Sequence, residues 1–215
     1  MSNAFRYFGD FLHLSAMILL IVKFLRTKSC ANISGKTQIL FAIVFTMRYL
    51  DVFAPGASYY ATVMKFVYVA LTYLSVFMIY GPFKKTYDRE NDVVFNEILV
   101  VPCFVMALYL SDAFIPSEIL WTFSIFLEAV AIVPLLDLLC KIDFIDNYTI
   151  GYLLPLGLYR VLYIMNWAYR YHYEGFYEVN AIFAGFLMTT LFALVFLRLY
   201  ILKRRDRKLM IALVG

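Results

Sequence analysis

Apolar residues in this chain come in long runs separated by short polar segments. The runs cover residues 5–24, 37–53, 59–80, 97–110, 117–140, 148–171 and 176–202, each rich in Leu, Ile, Val, Phe and Tyr. A helix needs about 20 apolar residues to cross a bilayer. Charges are tolerated inside such a helix where they face protein or a water-filled cavity. The pattern predicts an all-α membrane protein with seven transmembrane helices, a single domain over 1–215 that ends in a short basic tail over 203–215. The fourth run is short and the second carries Arg48 and Asp51, so six spans is the neighbouring solution.

Composition agrees, with 64% hydrophobic and 16% charged residues, whereas apolar usage is about half in soluble domains. Basic residues decide the count. Arg26, Lys28 and Lys36 follow the first run, Lys84, Lys85 and Arg89 the third, Lys141 the fifth, and Lys203, Arg204, Arg205, Arg207 and Lys208 the last. The segments at 54–58, 111–116 and 172–175 contain no Lys or Arg. Positive residues favour the cytosolic side, so the N-terminus is lumenal, the tail is cytosolic, and an odd number of spans follows. The net charge of +4 thus points to membrane sidedness and lipid, not to nucleic acid. Residues 1–6 carry no basic n-region, and Asp10 and His13 interrupt the first run, so that helix is expected to be retained and not cleaved as a signal peptide.

Cys30, Cys103 and Cys140 are widely spaced, with no metal-ligand pattern. No nucleophile, base and orienting group fall together. The chain therefore predicts neither a cofactor nor an enzyme.

A faint repeat relates the two ends. Aligning 12–16 with 127–131 places Arg6 opposite Trp121, and Arg48-Tyr-Leu-Asp51 then corresponds to Arg160-Val-Leu-Tyr163. Two three-helix sets joined by helix four have the same orientation, the 3+1+3, SWEET-like layout of parallel-repeat proteins whose sites lie between the halves.

Chemistry concentrates in residues 159–171. Arg160, Tyr163, Trp167 and Arg170 fall on one helical stripe. In the predicted topology Arg6, Glu118 and Trp121 lie near the lumenal face, and so do Arg48, Asp51, Trp167 and Arg170. His13, Glu128 and Arg160 lie deeper. Arginine forks take carboxylates in bidentate pairs; Asp51, Glu118 and the Trp167 face suit a cation. A short acidic peptide carrying a lysine fits that set. The plainer reading pairs the charges with one another, as burial demands, and gives the tryptophans a packing or interfacial role. His13 has two readings as well: a neutral, hydrogen-bonded imidazole, or a proton switch beneath the arginines.

The runs Phe5-Arg6 with Gly9-Asp10 and His13, Ser34-Gly35-Lys36, Arg48-Tyr49-Leu50-Asp51, 118–124 (Glu-Ile-Leu-Trp-Thr-Phe-Ser), Tyr159-Arg160 with Leu162-Tyr163, and Asn166-Trp167 with 170–172 and 174–176 resemble the KDEL receptor family along almost the whole chain. The resemblance implies a pH-dependent receptor. It would bind the C-terminal Lys-Asp-Glu-Leu or His-Asp-Glu-Leu type signal of escaped ER proteins in the Golgi and return them to the ER in COPI vesicles. It implies that Arg48 holds the terminal carboxylate, Arg6 the glutamate and Arg170 the aspartate. Asp51 and Glu118 would hold the lysine, with Trp121, Tyr163 and Trp167 completing the pocket. His13 would sense the proton, while Glu128, Tyr159 and Arg160 form the coupling network. Lys203, Arg204, Arg205, Arg207 and Lys208 would meet the coat. Leu135 and Leu194 depart from the family pattern, where a glutamine and an aspartate are expected; the second bears on sorting more than on binding.

A parallel-repeat small-solute transporter shares the layout but needs a passage to the cytosol, and below His13 and Glu128 the spans are mostly Leu, Ile, Val and Phe. A G-protein-coupled receptor is disfavoured by 78–82, which lacks an Asp-Arg-Tyr type triplet. Two sequons, at Asn32 and Asn147, fall in segments assigned to the cytosol. Glycosidase treatment of protein from a eukaryotic host is expected to leave its gel mobility unchanged; a glycan on either asparagine would overturn the orientation.

Overall fold

The computed structural model describes residues 4–50, 59–175 and 178–214, with side chains as far as 206. Its regular elements are α1 (Ala4–Thr27), α2 (Gly35–Arg48), α3 (Tyr59–Tyr80), a 3-10 turn (Lys84–Thr86), α4 (Asn96–Leu110), α5 (Pro116–Val130), α6 (Val133–Lys141), α7 (Asn147–Glu174) and α8 (Val179–Val214). Among the described residues the regular structure is entirely helical.

α5 and α6 form one rod, so the seven apolar runs become seven rods. Pro134 has no N–H to give the Val130 carbonyl and its ring crowds it. The helix therefore breaks at Ala131–Ile132, and the Leu135 N–H donates across the bundle to Thr37 Oγ1 at 3.1 Å. Two ends differ from expectation. α2 stops at Arg48 rather than at 53, with Tyr49 and Leu50 in a turn and Pro55 close behind in sequence; residues 51–53 lie outside the described residues. α8 continues past 202 because 203–214 is rich in Lys, Arg and Leu, all good helix formers.

α1, α3, the α5–α6 rod and α8 are long and apolar enough to cross a membrane, and α4 is a shorter apolar helix. Phe8, Phe11, Phe66, Phe77, Val101, Phe183 and Leu197 project outward. So large an apolar outer surface suits hydrocarbon and not water.

In the first triplet α3 packs on both α1 and α2; in the second, α8 packs on both the α5–α6 rod and α7. Between triplets, α1 lies along α7 and α2 along α5. Exchanging the triplets maps these contacts onto themselves, which is the parallel 3+1+3 arrangement. α4 rests on α5.

The basic segments meet at one end of the bundle, where buried polar groups fasten the rods. Lys23 is 1% exposed; it donates to Thr149 Oγ1 at 2.6 Å and to the Ala31 carbonyl, and pairs with Asp146 at 3.2 Å. Asp146 also caps α7 through the Thr149 N–H at 2.9 Å. Burial works to raise the Asp146 carboxyl, but Thr149 and Lys23 outweigh it and hold the group below its ordinary range. Nearby, Asp92 accepts from Ser34 at 2.8 Å and Tyr87 at 2.7 Å, joining the α2 start to the segment before α4. Both sequon asparagines belong here: Asn32 donates to Asp146 at 3.3 Å, and Asn147 accepts from Lys203 at 2.9 Å.

Replacing Asp146 by Ala removes a cap and strands a buried lysine, so Asp146→Ala is expected to cost about 3 kcal/mol in detergent unfolding. The pair Lys23→Met with Asp146→Ser keeps a capping oxygen without the stranded charge and should recover most of that loss. Because the Asp146 pKa is lowered by folding, its contribution is present at neutral pH and disappears as pH falls through the folded value. Equal losses in the single and double variants would remove the ion pair from this account.

Candidate functional site

At the end away from the basic loops a cavity of about 390 Å³ lies between the triplets. α1 brings Arg6 in its first turns and α2 brings Arg48 at its last residue. α5 presents Trp121 and Glu128, while α7 supplies Arg160, Tyr163, Asn166, Trp167 and Arg170. These α7 positions recur every three or four residues, so one helical face carries them all. α8 closes the wall with Ala181, Ala184, Gly185 and Met188. Its small residues let α7 approach: a Cβ on Gly185 would lie 2.2 Å from the Trp167 ring. On the other side a Cβ on Gly9 would lie 2.8 Å from Tyr163.

Glu128 is the hub of the inner end. Arg48 Nη1 meets its Oε2 at 2.5 Å, Arg160 Nη2 pairs with its Oε1, and the Tyr159 hydroxyl donates to Oε1 at 3.1 Å. Arg48 is fastened further, donating from Nε to Ser124 Oγ at 3.1 Å and from Nη2 to the Ser124 carbonyl at 3.0 Å. Arg160 also sits over the Tyr159 ring at 4.8 Å. Among the cavity-lining residues Glu128 is the one acid facing four arginines, so the cavity is electropositive.

His13 does not line the cavity. It is buried behind Tyr159, stacked on that ring at 4.2 Å and 7°, and faces Tyr68 at 4.9 Å. An edge contact leads from Tyr159 to Tyr163 and another from Tyr163 to Trp167. The four residues expected to sense and couple, His13, Glu128, Tyr159 and Arg160, are thus contiguous.

The expected peptide pocket is only partly gathered. Arg6, Arg48, Trp121, Tyr163, Trp167 and Arg170 share the cavity. Glu118 does not; it lines a second cavity of about 440 Å³, which shares Arg48 and Trp121 with the first. Its place follows from α5, where Glu118 is in the first turn and points to the rim. Asp51 lies outside the described residues. Arg170 donates to Glu174 at 3.0 Å. In the tail, Lys203 and Arg205 are bonded to Asn147 and Asp143, the second at 2.6 Å. Arg205 accordingly holds the Asp143 carboxyl below its ordinary range. Arg204 is exposed, and the side chains of Arg207 and Lys208 are outside the described set.

Sequence reasoning assigned no role to Asp10, Ser124 or Asn166. Asp10 is buried and accepts from Tyr163 at 2.5 Å and from Tyr60 at 3.3 Å. The signal was present, since Arg6, Asp10 and His13 are spaced i, i+4, i+7 on one helical face. Asn166 continues the α7 stripe, and its Oδ1 is buried without a partner among the described residues.

Seven rods in two parallel triplets, enclosing an arginine-lined cavity at one end, define a polytopic helical membrane protein with an electropositive cavity between its halves. The family model described as ER lumen protein retaining receptor matches residues 29–170, and the chain belongs to that family. It is 50% identical over 201 residues, 94% of each chain, to ER lumen protein-retaining receptor 3 of Xenopus tropicalis. Over the same length it is 48% identical to receptor 2 of Bos taurus and 47% to receptor 2 of Gallus gallus. Family and relatives are named as receptors, and the non-enzymatic reading stands with them.

Gly185→Ala is expected to push the Trp167 ring into the cavity, at a cost of about 1–3 kcal/mol from overpacking. With Trp121→Phe as background, Trp167 is the only tryptophan left. Its emission should then shift, and an unshifted spectrum would contradict the close α7–α8 contact.

Proposed function

We propose that this protein is a pH-dependent receptor for the C-terminal Lys-Asp-Glu-Leu or His-Asp-Glu-Leu type signal of ER proteins. It captures them in the Golgi and returns them to the ER through the COPI coat. The observation that carries the reading is the convergence of four arginines on one cavity with a single acidic partner in its lining. A peptide end with several carboxylates supplies the missing negative charge, and guanidinium forks bind carboxylates strongly when water is excluded.

The geometry supports a role for each residue. Arg48 takes the terminal carboxylate, which then competes with Glu128 for the same guanidinium. Arg6 and Arg170 take the glutamate and aspartate nearer the mouth. Glu118 takes the lysine at the rim, where Trp121 lines both cavities; Asp51, which the resemblance pairs with it, lies outside the described residues. Trp167 and Tyr163 supply ring faces. Protonation of His13 adds a positive charge behind Tyr159, the ring that stacks on it and donates to Glu128. That charge draws Glu128 inward and loosens its hold on Arg48, so acid favours the ligand. Beneath the site Leu20, Phe24, Leu40, Val44 and Leu127 are almost fully buried, which favours a receptor over a transporter. The exposed Arg204 is the part of the described tail open to a cytosolic coat.

Titrating purified protein with a peptide ending in Lys-Asp-Glu-Leu tests this directly. Binding is expected to be tighter at about pH 5.5 than at about pH 7.4, on either side of the ordinary histidine pKa. Arg48→Ala should weaken it about tenfold to hundredfold, the worth of a charge-assisted bond. His13→Ala should flatten the pH dependence. Equal affinity at both pH values would overturn retrieval by pH.

A further inference from the structure

At the end of the bundle where the basic segments meet, the two triplets use their cations differently. In the second triplet protein engages them: Lys141 pairs with Asp137, Arg198 with the carbonyls at the end of α6, Lys203 with Asn147 and Arg205 with Asp143. Arg204 is the exception, exposed and without a polar partner among the described residues. In the first triplet Lys23 is paired, but Arg26, Lys28, Lys84 and Lys85 are all exposed, and none of their side chains has a hydrogen bond or ion pair among the described residues.

These cations come from two places in the sequence, and a buried cysteine brings them to one patch. Cys30, two residues beyond Lys28, is 0% exposed; its N–H donates to Thr86 Oγ1 at 2.9 Å and its thiol to the Phe83 carbonyl at 3.3 Å. Phe83 and Thr86 bracket Lys84 and Lys85 at the 3-10 turn after α3, and the Phe24 ring of α1 packs against Phe83 at 6.3 Å. The α1–α2 connection therefore lies directly on that turn. Lys28 itself has φ 52°, in the left-handed region just past α1, where glycine is the usual residue because it has no Cβ to strain. A lysine there costs local stability and keeps a charge in the patch.

Nearby acids do not neutralise these four. Asp92 is buried and accepts from Ser34 and Tyr87, Asp146 holds Lys23, Asp88 is bonded to Asn91, and Glu90 adjoins Arg89 in sequence. Apolar surface, in contrast, is close at hand. Leu25, next to Arg26, is 51% exposed, and Phe77, near the end of α3, is 66% exposed, so hydrocarbon begins within about a turn of the cations. A soluble anion would use the charges alone, whereas a phospholipid uses the charges through its headgroup and the apolar faces of α1 and α3 through its chains. One monoanionic headgroup would leave most of the patch unmatched; a phosphorylated inositol ring matches it.

We infer that the ends of α1 and α3 form a binding site for a phosphoinositide. Arg26, Lys28, Lys84 and Lys85 hold its phosphates, and its acyl chains lie on the outer surface of the two helices. The site rests on the membrane reading of the fold and is independent of the cavity at the opposite end. Topology alone also puts basic residues at this end, but a diffuse role of that kind does not distinguish one pair of lysines, or one headgroup, from another.

The purified whole chain in nonionic detergent is titrated with a fluorescent phosphatidylinositol bisphosphate and followed by anisotropy, with unlabelled competitors. Saturable binding is expected, displaced by the unlabelled lipid and far less effectively by phosphatidylserine, inositol trisphosphate or a soluble polyglutamate peptide. Lys84→Gln with Lys85→Gln should weaken binding about fivefold for each lysine removed. Lys141→Gln with Lys203→Gln, which takes the same charge from the second triplet, should leave it unchanged. Lys28→Gly should weaken binding without lowering the thermal midpoint, because glycine suits that conformation. No saturable binding, or equal losses in the two lysine pairs, would overturn the site. Equal competition by phosphatidylserine would reduce the patch to diffuse charge, by inositol trisphosphate to a soluble-anion site and by polyglutamate to a protein contact, and each of these would overturn the lipid assignment.

Discussion

One carboxylate between two arginines sets the terms for this bundle. Glu128 is buried and bonded to Arg48 of α2 and Arg160 of α7, so a single side chain of α5 joins the first triplet to the second. Neither guanidinium could stay buried alone, because an unpaired charge in such surroundings is strongly destabilising. One acid cannot neutralise two cations, however. The excess positive charge faces the cavity, whose lining also holds Arg6 and the Glu174-bonded Arg170. Structural satisfaction and ligand demand thus come from the same group.

The parallel repeat explains why this happens at one end only. Placing the third helix of each triplet between the other two leaves α1 against α7 and α2 against α5 as the seams between halves. At the cavity end long polar and aromatic side chains line the space between the halves. At the opposite end they are closed by Lys23 with Asp146 and by Thr37 reaching the α6 backbone. A ligand entering between the halves therefore meets a floor of packed apolar residues and not a channel.

Much of this was legible in the sequence. Except at the ends of α2 and α8 the apolar runs gave the rods to within a few residues, the basic loops all lie at one end, and the α7 stripe points its arginines and rings into one cavity. What could not be read was pairing across helices. Arg48 has Asp51 three residues away in sequence, and nothing local says that its guanidinium reaches Glu128 and Ser124 on α5. Lys23 looks like an ordinary basic helix flank until Asp146, over a hundred positions later, is found beside it. The separation of Glu118 from Arg6, Arg160 and Arg170 was hidden for a similar reason. It depends on where α5 begins relative to its neighbours, a tertiary fact that periodicity within one helix does not contain.

The departure at position 194 gains a physical context from the same packing. Leu194 is 46% exposed on the outer side of α8, so its side chain is not what fastens that helix. Arg198, one turn on, donates to the carbonyls of Leu139, Cys140 and Ile142 at 2.8, 3.1 and 3.2 Å. Carbonyls at a helix C-terminus lack intrahelical partners and carry partial negative charge, which makes them a natural seat for a guanidinium. They are free here because α6 ends at Lys141. Anchoring α8 through backbone carbonyls makes that hold independent of any carboxylate at 194. The exposed leucine then faces lipid at no structural cost.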